Sequence, residues 1–318
     1  MAKSGLMKMV LFLASVTGSL AAVNYFINNE NNKKIGLITN KKENVQRLNY
    51  NWKYGKISYK KCGEGSPIIL IHELDCGASN IEWDKLYEGL CENHCVYMID
   101  LLGCGLSDKP YITYTNYLYV QLITDFINDI VQNNADIIAS GNGSAIAAMS
   151  LLNQSDIINK IVMINPSTAL LDNPNVIERK KIYEYVVGIP VIGTTVYNYF
   201  YNKENSRKKS VDKFVDYENK EAYDESSYVN SHYDSSKSKY LFASMEKNLT
   251  DISIKRAIEN ADDKVMILCG EYNPDKDDIE KCYQYHNEKI STKIISNSNA
   301  YPHIENAEET IKAIKDFL

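Results

Sequence analysis

The stretch that most constrains the fold is residues 136–149, which reads as a strand, a tight turn and a helix in immediate succession. Residues 137–139 are a short apolar run of the kind found in buried strands. The small residues that follow Gly143 are typical of a helix packed closely against its neighbours. The turn between strand and helix is built from four small or polar residues, Ser140, Gly141, Asn142 and Gly143. We therefore predict a sharp strand-to-helix corner at the end of a buried strand.

Predicted strands and helices alternate on both sides of this corner. A continuous apolar run, typical of a strand buried on both faces of a sheet, occupies residues 67–71, and further buried strands are predicted at 95–99, 158–164 and 265–269. An edge strand at residues 54–60 and a further strand at 293–295 complete the predicted set. Helical periodicity separates the strands, at residues 81–90, 117–131, 277–288 and 305–318. Because such alternation implies parallel pairing through right-handed crossovers, the sequence predicts an α/β fold with a mostly parallel central sheet and helices on both faces.

The alternation of predicted strands and helices stops after Pro166. Residues 167–257 contain no pattern of a buried strand, only helical stretches such as 176–187 and a run rich in Tyr, Ser and Lys from 201 to 240. We predict that residues 167–257 form a mostly helical cap inserted over the sheet. The core then consists of residues 51–166 and 258–318.

The N-terminal segment has two interpretations. Residues 10–27 are largely apolar and follow Lys3 and Lys8, which suits either a cleavable signal peptide ending before Ala22 or a single membrane-anchoring helix. Five basic residues follow the segment, so the positive-inside rule favours an anchor with the body in the cytoplasm. Under the alternative, cleavage leaves a secreted or cell-surface protein. We therefore assign residues 1–28 to an anchor or signal segment and residues 29–50 to a polar tether.

Charge, cysteine content and motifs restrict the classes of ligand and partner that the sequence predicts. A net charge of -6 argues against a nucleic-acid surface, which requires a basic stripe. Seven cysteines without a CxxC pair favour reduced, mostly buried thiols over a disulfide framework, and they show no metal-ligand spacing. No nucleotide fingerprint is present, because Gly103 and Gly105 lack the third glycine of that motif. We expect no metal and no cofactor.

Several segments together resemble the α/β-hydrolase superfamily, in particular its capped esterase, epoxide-hydrolase and haloalkane-dehalogenase-like branch. They are His72, the helix around Trp83, the corner at 136–149, the tail at 302–308 and the segment 100–110. Residues 100–110 are the most specific match, since their glycines and their Ser-Asp-Lys-Pro ending fall at the spacing of the family. The resemblance extends from about residue 51 to residue 318. It implies the α/β-hydrolase fold and chemistry that needs no bound cofactor.

The resemblance also implies where a nucleophile, an acid and a base should stand, in that chain order. The nucleophile position is Gly141, the acid position is Asn273 and the base position is Ala300. Some relatives carry the acid after the preceding strand, where this chain has Asn165. Each residue lacks the group that the chemistry requires. We therefore predict a non-catalytic pseudo-hydrolase that binds a small ligand or a protein partner.

An active hydrolase with a rearranged site is the competing prediction. Its nucleophile would be Cys76, Ser140 or Ser144, and His303 would be its base. A third interpretation uses the pocket for acid–base chemistry alone, with His303 or Asp75 as the base.

The pocket itself is expected beside the oxyanion donors of the family. These donors would be the backbone N–H groups of Leu74 and Asn142, with Asp75 next to them. The family's His-Gly pair reads His72-Glu73 here, so the backbone of this loop is more restricted than in the family. The expected ligand is small and apolar or ester-like. The other expected partner is a membrane, contacted through the N-terminal segment, and the sequence does not indicate which protein would bind.

Overall fold

The computed structural model describes residues 14–27, 29, 45–172, 186–200, 213–215 and 237–318. Its centre is an eight-stranded sheet in the order β1-β2-β4-β3-β5-β6-β7-β8. The strands are β1 (Gln46–Trp52), β2 (Gly55–Cys62), β3 (Ser66–Ile71), β4 (His94–Ile99), β5 (Ala135–Ser140), β6 (Ile158–Ile164), β7 (Val265–Gly270) and β8 (Ser291–Ile295). The pairs β1–β2 and β2–β4 are antiparallel, and all other neighbours are parallel. This arrangement confirms the predicted fold class.

Helices cover both faces of the sheet. In chain order they are α1 (14–27), α2 (Tyr87–Cys91), α3 (Asn116–Phe126), α4 (Gly143–Asn153), α5 (Ile192–Phe200), α6 (Lys239–Met245), α7 (Lys255–Glu259), α8 (Lys276–His286), α9 (Pro302–Glu305) and α10 (Ala307–Phe317). Short 3-10 helices lie at Asn80–Trp83 and Thr168–Leu171, and a π-helical segment at Ile127–Val131 extends α3.

Strand β3 shows how the two faces are buried. Ile69 and Ile71 pack in the hydrophobic cluster that contains α3 and α4, whereas Ile68 and Leu70 pack in the cluster that contains Trp83 and α10. Successive side chains of a strand point to opposite faces, so a strand covered on both sides must be apolar throughout. Full burial of each of these side chains contributes roughly 1.5–3 kcal/mol to the free energy of folding. The continuous apolar run is therefore a direct consequence of the layered fold.

The N-terminal part of the body differs from the prediction in two places. Residues 46–50 were assigned to the tether, but they belong to β1, which pairs antiparallel with β2 and buries Tyr50 and Trp52. The helix predicted at 81–90 is interrupted: the 3-10 turn Asn80–Trp83 and α2 replace it. Trp83 and Leu90 are both fully buried, so the helical spacing identified the inward-facing residues but not the break between them.

The predicted cap is described in part. Between residues 167 and 257 the described residues form helices or irregular structure and no strand, with α5, α6 and α7 as the helices. The helical stretch predicted at 176–187 lies almost entirely outside the described residues.

The N-terminal segment is also described in part. Within the described ranges, no helix combines the length and apolarity needed to cross a membrane. Residues 1–13 and 28 of the predicted anchor lie outside those ranges. Helix α1 contacts the segment predicted to form the cap through Asn24, which is buried. Its side-chain amide donates to Val191 O at 3.1 Å and to Thr195 Oγ1 at 3.0 Å, and its Oδ1 accepts from Asn198 Nδ2 at 3.0 Å.

One expectation about the cysteines is wrong. Cys62 at the end of β2 and Cys91 at the end of α2 form a disulfide, with their Cα atoms 5.8 Å apart. Their proximity follows from the packing of α2 beside the sheet, which the spacing of 29 residues along the chain does not reveal. The other five cysteines are free, and four of them are buried.

Candidate active site

The predicted corner lies between β5 and α4 with Gly141 at its apex. Gly141 has a φ of +47°, a conformation that glycine adopts readily. Its N–H donates to Ile164 O at 2.9 Å, and its carbonyl accepts from Ser144 N–H at 3.1 Å. At Gly143 a Cβ atom would lie 2.6 Å from the carbonyl oxygen of His72, so only glycine fits there. The corner is therefore tight and close to the loop that follows β3.

The carboxyl group of Glu73 occupies the space above this apex. A Cβ atom built on Gly141 would lie 3.1 Å from Glu73 Oε1 and 3.2 Å from its Cδ and Cγ. A side chain at position 141 would point into this space. The apex thus has no reactive atom of its own, and a carboxyl group from a different loop stands in its place.

Glu73 is connected through polar side chains to Lys213, which lies in the segment predicted to form the cap. Tyr301 Oη donates to Glu73 Oε2 at 3.4 Å, and Lys213 Nζ donates to Tyr301 Oη at 3.1 Å. Burial raises the pKa of Glu73; the charge of Lys213 opposes this effect, while Glu82 and Asp75 add to it. The result is a carboxyl group whose pKa lies above its ordinary value.

His72 holds the backbone of the Glu73 loop in place. Leu101 N–H donates to His72 Nε2 at 3.1 Å, so that nitrogen carries no proton. The proton must then be on Nδ1, which lies 2.7 Å from Glu73 O and donates to it. His72 is a buried imidazole with both nitrogens engaged by backbone groups.

Beneath the apex, Glu82 connects two residues that the sequence singled out. The hydroxyl of Ser140 donates to Glu82 Oε1, and His303 Nε2 lies 3.0 Å from the same oxygen. Glu82 Oε2 accepts from Glu73 N–H at 3.0 Å. Burial would raise the pKa of Glu82, but the hydrogen bond and charge of His303 outweigh it and hold this pKa below its ordinary value.

The order of groups in this cluster differs from that of a catalytic triad. In a triad the imidazole lies between the hydroxyl and the carboxylate, so that it can take the hydroxyl proton. Here the carboxylate of Glu82 lies between Ser140 and His303. The other nitrogen of His303, Nδ1, is buried and has no hydrogen-bond partner among the described residues.

The two acid positions bind each other. Asn165, at a φ of +44°, accepts from Asn273 Nδ2 at 2.9 Å through its Oδ1. Its Nδ2 donates to the carbonyl oxygens of Asn299 and Ala300, both at 2.8 Å. Asn165 thus holds the loop that carries Ala300 through neutral hydrogen bonds, and Asn273 in turn binds Asn165.

Residues 213–215 cover the base position. Ala300 N–H donates to Lys213 O at 3.0 Å, and Val215 N–H donates to Glu305 Oε1 at 2.8 Å. The ring of Phe214 packs on Tyr301 with 5.1 Å between centroids. Residues 213–215 therefore pack against the loop on which the family places its histidine.

The remaining fallback nucleophiles contact backbone or sulfur atoms. Ser144 Oγ donates to Ala139 O at 3.3 Å from inside α4. Cys76 is buried, with its Sγ 3.8 Å from Ser238 O and 3.7 Å from Met245 Sδ. Asp75 accepts from Gly77 N–H at 2.9 Å and so shapes its own loop.

The expected oxyanion donors lie beside a small cavity. The backbone N–H groups of Leu74 and Asn142 make no hydrogen bond to another described residue. Both residues line a cavity of about 150 Å³. The other residues around it are Ala145, Leu170, Met245, Glu246, Thr250 and Asp251. The described residues contain no cluster of three or more His, Cys, Asp or Glu side chains that could hold a metal ion.

Sequence reasoning missed four groups of this site: Glu73, Glu82, Lys213 and Tyr301. Glu73 stands where the family has glycine, and that exchange was the available signal. It was interpreted as a restriction of the backbone, whereas the side chain fills the place left empty at Gly141. No local pattern marks Glu82, because its role depends on the packing of the 3-10 turn under the corner.

Comparison with known proteins gives partial sequence matches. No protein-family model matches the sequence. Over 116 residues the chain is 28% identical to the 2-hydroxy-6-oxo-6-(2'-aminophenyl)hexa-2,4-dienoic acid hydrolase of Metapseudomonas resinovorans, which is 36% of this chain and 40% of that protein. Over 108 residues it is 23% identical to an uncharacterized protein of Mycobacterium bovis, covering 34% and 31% of the two chains. The chain thus spans less than half the length of the curated relatives that it matches.

Solved structures match over much more of the chain. A serine hydrolase involved in carbazole degradation superimposes with a TM-score of 0.67 at 17% identity, covering 86% of this chain and 98% of that one. The epoxide hydrolase CorEH superimposes with a TM-score of 0.64 at 15% identity, with the same coverage. At these identities the likeness establishes the fold.

Proposed function

On the α/β-hydrolase fold, which this chain has in common with these solved structures, we propose that the protein is a pseudo-hydrolase. It binds a small carbonyl-bearing ligand, such as an ester, and does not hydrolyse it. The observation that carries the proposal is the apex of the corner, where Gly141 has no side chain and the carboxyl group of Glu73 fills the space.

The surrounding positions support this proposal. Acyl transfer by this fold needs an activated nucleophile, a base and an orienting acid. Ala300 offers no base. Asn273 is engaged by another amide and carries no charge that could stabilise an imidazolium. In a serine triad, exchange of the acid for asparagine alone costs about four orders of magnitude in rate.

The ligand class follows from the groups that remain. The N–H groups of Leu74 and Asn142 are donors suited to a carbonyl oxygen, and both residues border the 150 Å³ cavity. Ala145, Leu170 and Met245 give that cavity an apolar side, and Glu246, Thr250 and Asp251 give it a polar side. A compact molecule with one carbonyl group and an apolar body fits these features.

A rearranged hydrolase is the second candidate, and the buried cluster favours it. Ser140, Glu82 and His303 are the groups of a hydrolytic site, joined by hydrogen bonds. For this candidate Ser140 is the nucleophile, because Ser144 and Cys76 contact backbone and sulfur atoms instead.

The N-terminal segment supports a second proposal, namely that the protein is held at a membrane. The apolar stretch at 10–27 supplies the contact, and Asn24 fixes α1 to the cap. The disulfide between Cys62 and Cys91 supports a body outside the cytoplasm, since disulfides persist in oxidising compartments. The basic residues after the segment support the opposite side. Labelling of intact cells with a membrane-impermeant amine reagent distinguishes the two locations, because the lysines of the protein react only if its body lies outside the cell.

The test of the pseudo-hydrolase proposal is the turnover of p-nitrophenyl acetate by the purified chain. We expect at most the 10³–10⁴-fold acceleration over water that binding and oxyanion donors retain without a triad. The rate should be the same in the wild type and in Ser140→Ala. A burst of nitrophenol, or saturable turnover that is lost in Ser140→Ala, would establish the rearranged hydrolase instead.

A further inference from the structure

We propose that Glu73 is an acid–base group that transfers a proton to and from the carbon next to the carbonyl group of a bound ketone. The activity goes beyond the proposed function, because proton transfer requires neither a nucleophile nor the hydrolysis of a bond. It rests on that function for the binding of the carbonyl oxygen.

The base and the two donors come from neighbouring residues at the apex of the corner. Glu73 Oε1 lies 3.1 Å from the position of a Cβ on Gly141. Leu74 follows Glu73 in the chain and Asn142 follows Gly141, and both border the 150 Å³ cavity. The proposed ketone binds with its oxygen on these two N–H groups and its neighbouring carbon toward the carboxyl group of Glu73.

Charged groups from four elements determine the protonation of Glu73. Asp75 lies on its own loop, Glu82 on the 3-10 turn, Tyr301 on the loop before α9 and Lys213 on the cap. Burial is the largest influence and raises the pKa of Glu73 above its ordinary value. A base whose pKa lies closer to the working pH accepts a proton from carbon more effectively than an ordinary carboxylate.

The step balances without a co-reactant. The carboxylate of Glu73 takes the proton from the carbon, and the electron pair of the broken C–H bond forms the C=C bond of an enolate. The π electrons of the carbonyl move to its oxygen, which accepts hydrogen bonds from Leu74 and Asn142. Return of the proton to the same carbon regenerates the ketone.

The proton-transfer step can be measured if the proton held by Glu73 exchanges with solvent. Glu73 Oε2 is joined to Lys213 through the hydroxyl of Tyr301. A proton held by Glu73 therefore exchanges with solvent, and in D₂O the carbon that returns to the ketone carries deuterium.

The experiment uses cyclohexanone as the probe and the full purified chain in D₂O. Loss of the α-proton signal is followed by NMR, and binding is measured in the same sample by saturation transfer. We expect the wild type to exchange α-protons about 10²-fold faster than Glu73→Gln, within the range typical of general acid–base catalysis. The rate should rise with pH through the raised pKa of Glu73. Glu88→Gln, an exposed acid with the same change of charge, is the matched control and should exchange at the wild-type rate.

Each outcome decides the matter. If cyclohexanone binds but Glu73→Gln exchanges as fast as the wild type, the acid–base role is refuted and the ligand-binding proposal stands. If the probe does not bind at all, both are refuted. If exchange depends on Glu73 while p-nitrophenyl acetate is turned over with a burst, the acid–base role stands and the pseudo-hydrolase proposal fails.

Discussion

The contact between Gly141 and Glu73 predicts a measurable energetic coupling. Placing alanine at position 141 imposes a positive φ on a residue with a side chain, which costs about 1–2 kcal/mol. The restriction of the unfolded chain by alanine offsets about 0.4–1 kcal/mol of this cost. The new Cβ would also lie 3.1–3.2 Å from three atoms of Glu73, and this overpacking adds at least about 1 kcal/mol.

A double-mutant cycle isolates that contact. Glu73→Ala removes all three contacting atoms, so Gly141→Ala should cost about 1 kcal/mol less in the Glu73→Ala background than in the wild type. The assay is urea unfolding followed by the fluorescence of Trp52 and Trp83. The matched control is a cycle between Gly141→Ala and Glu92→Ala, an exposed acid, which should show no coupling. Coupling below about 0.3 kcal/mol between Gly141 and Glu73 would refute the contact.

Three further predictions concern stability. Cys62→Ser removes a disulfide that closes a loop of 29 residues, so it should lower the free energy of unfolding by about 3.6 kcal/mol. The control Cys282→Ser should leave that free energy unchanged, and equal urea midpoints for Cys62→Ser and the wild type would contradict the disulfide. Asn165→Ala leaves two backbone carbonyls without their donor and should cost about 2–4 kcal/mol in the same assay, and a cost below about 0.5 kcal/mol would show that the amide does not hold the loop. Because the folded-state pKa of Glu73 is raised, the wild type should lose stability as the pH rises through that pKa, whereas Glu73→Gln should not. The melting temperatures of the two proteins should therefore diverge as the pH rises above the ordinary carboxyl pKa of 4.5, and parallel curves would mean that the carboxyl group is solvated.

Much of the sheet was predictable because its central strands are buried on both faces. Residues 265–269 form a continuous apolar run that can be recognised without any knowledge of its neighbours, and this run matches β7 to within one residue. Strand β1 was not recognised, because it buries few side chains and its polar residues face solvent. Its stability comes from pairing with β2, a contact that no local pattern reveals.

The site was predictable in its backbone but not in its side chains. The corner at Gly141 follows from small residues that are adjacent in sequence. The carboxyl group above it belongs to Glu73, 68 positions earlier, and reaches the apex only through the fold. The partnership of Ser140 with Glu82 likewise depends on the turn at Asn80–Trp83, where a continuous helix had been predicted.

Intact-mass spectrometry after incubation with a fluorophosphonate probe shows whether this corner carries a reactive hydroxyl, because the probe reacts with an activated serine. For a pseudo-hydrolase we expect the wild-type chain to keep its mass, as does Ser140→Ala. A single stoichiometric adduct on a serine of the wild type, absent from Ser140→Ala, would show that a reactive hydroxyl exists at this corner and would refute the pseudo-hydrolase proposal.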